Sequence, residues 1–145
     1  MVALIWLHVA AMFVAFAVFV GGGAMVRLVA YRGSASAVRE LIAAVDPMFR
    51  VGGLAAAIGV VAGLILARNF GYGAPWLIGA YILTALAAGL GNAIDATWAN
   101  RLAAADDQRF ESVRRERVPA LAGALGVALW FAVLWLMIAK PGGSS

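Results

Sequence analysis

This sequence predicts an all-α membrane protein: a four-transmembrane-helix bundle with a short interfacial helix between helices one and two. Three observations carry that reading. Of its 145 residues 65% are hydrophobic and only 12% charged, whereas soluble domains carry roughly 25% charged residues. The charges are also segregated. All seven acidic residues, and every basic residue except Arg68 and Lys140, fall within Arg27 to Arg50 or Asp95 to Arg117. Finally, the apolar stretches that remain are rich in Ala, Leu and Gly and show none of the alternation of barrel strands. Since only helices and closed barrels satisfy their backbone in lipid, they read as helices.

Four spans follow, at about 3–25, 51–67, 75–94 and 118–139, in a single domain covering 1–140, with 141–145 as a disordered tail. The first carries no charge and is long enough for a hydrocarbon core of about 30 Å. Its first positive charge, Arg27, comes after the apolar run rather than before it, so Met1 to Ala30 reads as a retained span rather than a cleaved leader. Gly21-Gly22-Gly23 predicts a kink or close contact near its inner end. Between spans one and two, Val38, Leu41, Ile42 and Val45 recur at helical spacing. With Ser36 as N-cap and Pro47 after the end, they predict a short amphipathic helix lying in the interface. The turn Asn69 to Pro75 is glycine-punctuated and tight. Helix three is expected to continue past the membrane through Trp98 and Leu102, followed by a turn at Asp106-Asp107 and a polar return to Pro119, which suits an early helical position.

Positive residues place both charged loops, 26–50 and 95–117, on the cytoplasmic side of an inner membrane facing anionic lipid, with both termini outside. Trp6, Tyr72, Trp76 and Trp135 are expected at the outer boundary, and Tyr31, Phe49 and Trp98 at the inner one. Small residues should mediate helix packing: Gly59 and Gly63 on helix two, Ala80, Thr84 and Ala88 on helix three, and Ala122 and Gly126 on helix four.

Composition also excludes much chemistry. Without cysteine there is no disulfide, iron–sulfur cluster or thiol nucleophile, and one histidine rules out a multi-histidine metal site within the chain. A net charge of +4 and a pI near 10.4 suit an anionic lipid face. Nucleic acid is not expected, because no basic stripe interleaved with aromatics accompanies them. The sequence contains no Walker loop, G-x-S-x-G or HExxH motif and no carboxylate within the spans.

Two groups of side chains stand out. His8, about two turns into helix one, is an intramembrane ionisable residue. It is suited either to a neutral hydrogen bond with a neighbouring helix or to ligation, with Met137 as the one thioether near its level on another helix. At the inner end Arg27, Arg50, Asn92 and Asp95 converge on one level. Asp95 is expected to pair with Arg27 or Arg50 and clamp three helices, the alternative being an anion or lipid-headgroup site.

Four short motifs carry a resemblance: Trp6-Leu7-His8-Val9, Arg27-Leu28-Val29-Ala30-Tyr31, the Trp76-led third helix, and Arg114-Arg115-Glu116-Arg117-Val118-Pro119. In this layout the chain resembles small four-helix bacterial integral membrane proteins of unknown function and, more distantly, bacterial haem-containing protoporphyrinogen oxidases. The distant resemblance implies haem ligation by a helix-one histidine, here matched by His8, and a polar position near Asn92. The lysine that those oxidases carry about four residues after the tryptophan is Ala80 here. The expected function is a non-catalytic membrane subunit that anchors or stabilises a larger complex or a homo-oligomer. The alternatives are a haem-b redox protein using His8, and a small transporter or channel.

Overall fold

The computed structural model describes residues 1–69 and 71–140, with Asn92 described in its backbone only; the tail 141–145, expected to be disordered, lies outside the described residues. The described chain is helical with no strands. Helix α1 runs Val2–Arg32, α2 Ala35–Ala67, α3 Pro75–Ala104, α4 Asp107–Arg114 and α5 Arg117–Ala139. Four of them (α1, α2, α3 and α5) are long and apolar enough to cross a membrane, and no more than 18% of the most apolar stretch of each is buried within the chain. Their apolar side chains therefore face outward, an arrangement that lipid stabilises and water does not.

The helices form two tight antiparallel pairs, α1 with α2 and α3 with α5. Glycines set the first pair. A Cβ built on Gly59 would lie 2.6 Å from Met12 Sδ, one on Gly63 2.8 Å from His8 Cε1, and one on Gly52 2.7 Å from a Val18 methyl. The GxxxG step is thus the surface on which α1 rests. On α5 the small face differs from expectation: Ala122 and Gly123 are turned inward, while Gly126 meets open space. On α3 Ala80 and Ala87 are buried and Ala88 is exposed. The small residue that matters is the one facing a partner, which composition alone does not reveal.

At the end holding both termini, Ala67, Trp76 and Leu77 form a core with Tyr81, Leu136 and Met137. The turn before α3 places Gly71 at φ 76°, a left-handed conformation that costs glycine little. It is closed by Ala74 N–H donating to Gly71 O at 3.2 Å. Pro75 opens α3 at a position where a missing N–H costs nothing.

The opposite, charged end departs most from expectation. The amphipathic segment is helical but not separate. It is capped by Ser34, whose Oγ accepts from Ala37 N–H at 3.3 Å, and not by Ser36. It then runs through Pro47 into the second span as one helix of 33 residues, roughly 50 Å long. Proline removes one hydrogen bond and bends a helix, but burial offsets that here. Val38 and Ala35 pack with Ala30, Trp98, Leu102, Ala105 and Phe110, and Ile42 joins them. Protein rather than lipid covers this apolar face. Trp98 belongs to this core and not to an aromatic belt; its Nε1–H donates to Val113 O at 2.9 Å. Trp76 is likewise buried, whereas Trp6, Tyr72, Trp135 and Tyr31 are exposed. The polar return is itself helix α4, capped by Asp106 Oδ1 accepting from Arg109 N–H at 2.8 Å.

Together these segments build a helical cap with its own core. No large apolar side chain is exposed between Tyr31 and Met48, or between Leu86 and Val118, among the described residues. The apolar exterior stops where the cap begins.

Two outcomes test this account. Gly59→Leu should lower the melting temperature by separating α1 from α2, at a cost of about 1–3 kcal/mol. Gly53→Leu, which meets open space, should leave it nearly unchanged. In the cap, the Arg115 hydrogen bond, with Arg114 beside it, holds the Glu111 carboxyl below its usual value. A lowered folded-state pKa gives stability that is present above the unfolded value and lost as pH falls through the folded one. Amide protection factors in α4, corrected for the fall of the intrinsic exchange rate with pH, should therefore drop more between pH 6 and pH 3 in the native chain than in Glu111→Gln.

Candidate functional site

Two of the ionisable side chains on the long apolar helices, Arg27 and His8, lie at different levels, and the backbone around each explains its position. Arg27 lies on α1 just beyond a π-helical turn, Ala17–Gly22, where the glycine triplet led a kink to be expected. Helical side chains tilt toward the N-terminus. The Arg27 guanidinium accordingly points back into the bundle, with Nη1 3.6 Å from the position of a Cβ on Gly23. Asp95 reaches it from a second π-helical turn, Gly91–Ala96 of α3.

Arg27 Nη2 donates to Asp95 Oδ2 and, at 3.5 Å, toward Pro119 O on α5. The guanidinium lies directly against Gly123, where a Cβ would overlap Nη2 and Cζ. One arginine thus ties α1 to both α3 and α5. Arg27 Nε and Asp95 Oδ1 are also buried and have no partner. They are the spare donor and acceptor of the same pair, so a small rotation of either group would complete a bidentate fork. The side chains remain 20% and 29% exposed, which places the pair at an edge of the bundle rather than deep within it.

The expected cluster is therefore narrower than its sequence version. Arg50 does not join Asp95. It pairs with Asp46 one turn earlier on its own helix at 2.8 Å, and its side chain is 81% exposed. An i,i+4 acid lies within easy reach of it, whereas Asp95 is already held by Arg27. The side chain of Asn92 lies outside the described residues. Asp46, Pro119 and Gly123 were missed as members of this level. Asp46 was visible as an i,i+4 partner, but Pro119 acts through its carbonyl and Gly123 through its lack of a side chain, which leaves no chemical signal in sequence. In the adjoining cap Arg101 holds Glu116 in a two-point ion pair, one arm of which is 2.9 Å.

At the other level His8 Nδ1 lies 2.7 Å from Gly59 O. Because a carbonyl only accepts, Nδ1 is the donor here and Nε2 is the ring nitrogen that Gly59 does not engage. The ring lies over Gly63. Met137, its proposed partner in haem ligation, packs against the Ala67, Trp76 and Leu77 core. No group of three or more metal-ligating side chains occurs among the described residues.

No protein-family model matches this chain, and no curated protein or solved structure matches it either. The reading of the site therefore rests on its geometry.

Gly123 supplies the sharpest test of that geometry. Gly123→Ala should push the guanidinium away from Asp95 and destabilise the protein by about 1–3 kcal/mol. Gly126→Ala, three residues on and facing open space, should be neutral in the same thermal melts.

Proposed function

We propose that this chain is a non-catalytic integral membrane subunit, which anchors or stabilises a larger membrane complex. The observation that carries the reading is how two of its side chains, His8 and Arg27, are used; Thr84 by contrast bonds within its own helix, to Ala80 O at 2.8 Å. His8 is engaged on the Gly59 carbonyl, and Arg27 on Asp95 and the Pro119 carbonyl. Each bond joins one helix to another, as hydrogen bonds between membrane helices commonly do. The apolar exterior of the four long helices supports insertion in a bilayer. The arginine-rich cap supports an orientation with the cap in the cytoplasm against anionic lipid, and both termini on the far side of an inner membrane.

A second reading, a haem-b protein ligated by His8, has one observation in its favour. An imidazole whose Nδ1–H is fixed by a carbonyl presents Nε2 in the form that ligates metal.

Gentle cross-linking and purification from native membranes separates the two. The subunit reading expects a stoichiometric membrane partner and a colourless preparation, with cysteines at Ala74 and Ala104 labelled from opposite sides. A Soret band that disappears in His8→Ala would replace it with the haem reading.

A further inference from the structure

The two π-helical turns share a level with two further irregularities, so every long helix is interrupted or begins in one slab. In α1 the irregularity is Ala17–Gly22. In α2 it is Pro47, which removes a backbone hydrogen bond within the helix, followed by Gly52 and Gly53. Gly22 and Gly52 fix the register of these two helices. A Cβ on Gly22 would lie 3.1 Å from Phe49 Cζ, one on Gly52 would meet Val18, and Phe19 stacks on Phe49 with ring centroids 6.2 Å apart. In α3 the irregularity is Gly91–Ala96, which contains Asp95. Helix α5 starts here, with Pro119 and Gly123 against the Arg27 guanidinium, which itself lies beside Gly23.

On one side of this slab is the apolar bundle; on the other is the cap, with its own core of Val38, Trp98, Leu102 and Phe110. Sharp bends in helices occur at proline, at glycine pairs and at π-turns, and the slab gathers all three. Two packed bodies whose chain connections run through softened helical segments can hinge there, each body moving as a unit. Among the described residues two ion pairs join different helices here: Arg27 with Asp95, and Arg101 on the cap side of α3 with Glu116, the N-cap of α5. Only the first also reaches Pro119 and Gly123 on α5. A further pair at this level, Asp46 with Arg50, stays within α2.

We infer that the cap and the span bundle form two bodies hinged at this slab, and that the Arg27–Asp95 pair is the latch holding them in one relative orientation. The inference takes from the proposed function only that the spans lie in a bilayer; it needs neither a partner nor a cofactor. Releasing the latch changes the position of the cap against the bundle while leaving the core of each body intact. An event in the cap would in this way be transmitted to the spans.

The test places spin labels on exposed positions, Gln108 in the cap and Ala85 in the span, and measures their separation by pulsed electron resonance in nanodiscs. The native chain should give one narrow distance. Asp95→Asn should add a second distance, while Asp46→Asn, which removes the exposed intrahelical pair of the same slab, should keep the native peak. If Asp95→Asn does not fold, Gly123→Ala dislodges the same guanidinium with both charges retained and should give the second distance instead. A single native distance in the unlatched variant overturns the latch. Equal broadening in Asp95→Asn and Asp46→Asn overturns it too, because general loosening would then account for both. Neither result bears on whether the chain carries a partner or a pigment, so the subunit reading stands or falls separately.

Discussion

An arginine near the end of a membrane helix has two ways to solvate its charge: it can extend outward to the headgroups, or it can find a counter-charge inside. Arg27 takes the second course, because side chains on a helix lean toward the N-terminus and the N-terminus of α1 lies across the bundle. Much of the charged end follows from that direction. A guanidinium turned inward needs an anion, and Asp95 supplies it. It also needs room, which α5 provides by placing Gly123 where any side chain would collide with it. Its remaining hydrogen bond goes to Pro119 O, on the helix that α3 packs against. The pair therefore joins α1, from one helix pair, to both members of the other.

The same economy recurs at the far end with an imidazole. Within a span, an unbonded imidazole N–H is costly. His8 places its N–H on a backbone carbonyl of the neighbouring helix, which is accessible because residue 59 is glycine and residue 63 lets the ring lie flat. Interhelical hydrogen bonds of this kind contribute on the order of 0.6 kcal/mol, seldom above about 1.7. They set register more than they set stability. Charge at one level and an imidazole at another together fix how far α1 can slide along the bundle.

Much of this could be read from the sequence. The four long apolar helices, the turn at Gly71, the extension of α3 through Trp98 and Leu102 and the special role of the glycine triplet all follow from local rules of charge, hydropathy and propensity. So does the meeting of Arg27 with Asp95, since each lies where a charged segment adjoins a span. What could not be read depends on a third body. Proline at 47 signals the end of a helix in isolation, yet the helix continues because Val38 and Ile42 are buried on Trp98 and Phe110, which come more than fifty residues later. Trp98 looks like an interfacial anchor until α4 folds over it. Arg50 and Asp95 both look available until the short reach from Arg50 to Asp46 is weighed against the distance to another helix. Gly123 and Gly126 are alike in sequence and differ only in what faces them.

The central claim is that Arg27 and Asp95 stabilise this fold as a coupled pair rather than as two separate charges. A double-mutant cycle in nanodiscs, with Arg27→Met, Asp95→Leu and the two combined, measures that coupling directly. Losing one member leaves a partly buried charge unpaired, whereas replacing both with apolar groups removes the need for either. The account predicts that each single change destabilises the protein and that the combination restores much of the loss, with a coupling of about 0.5–3 kcal/mol. Strictly additive effects would mean that the two side chains act independently, and would contradict the account.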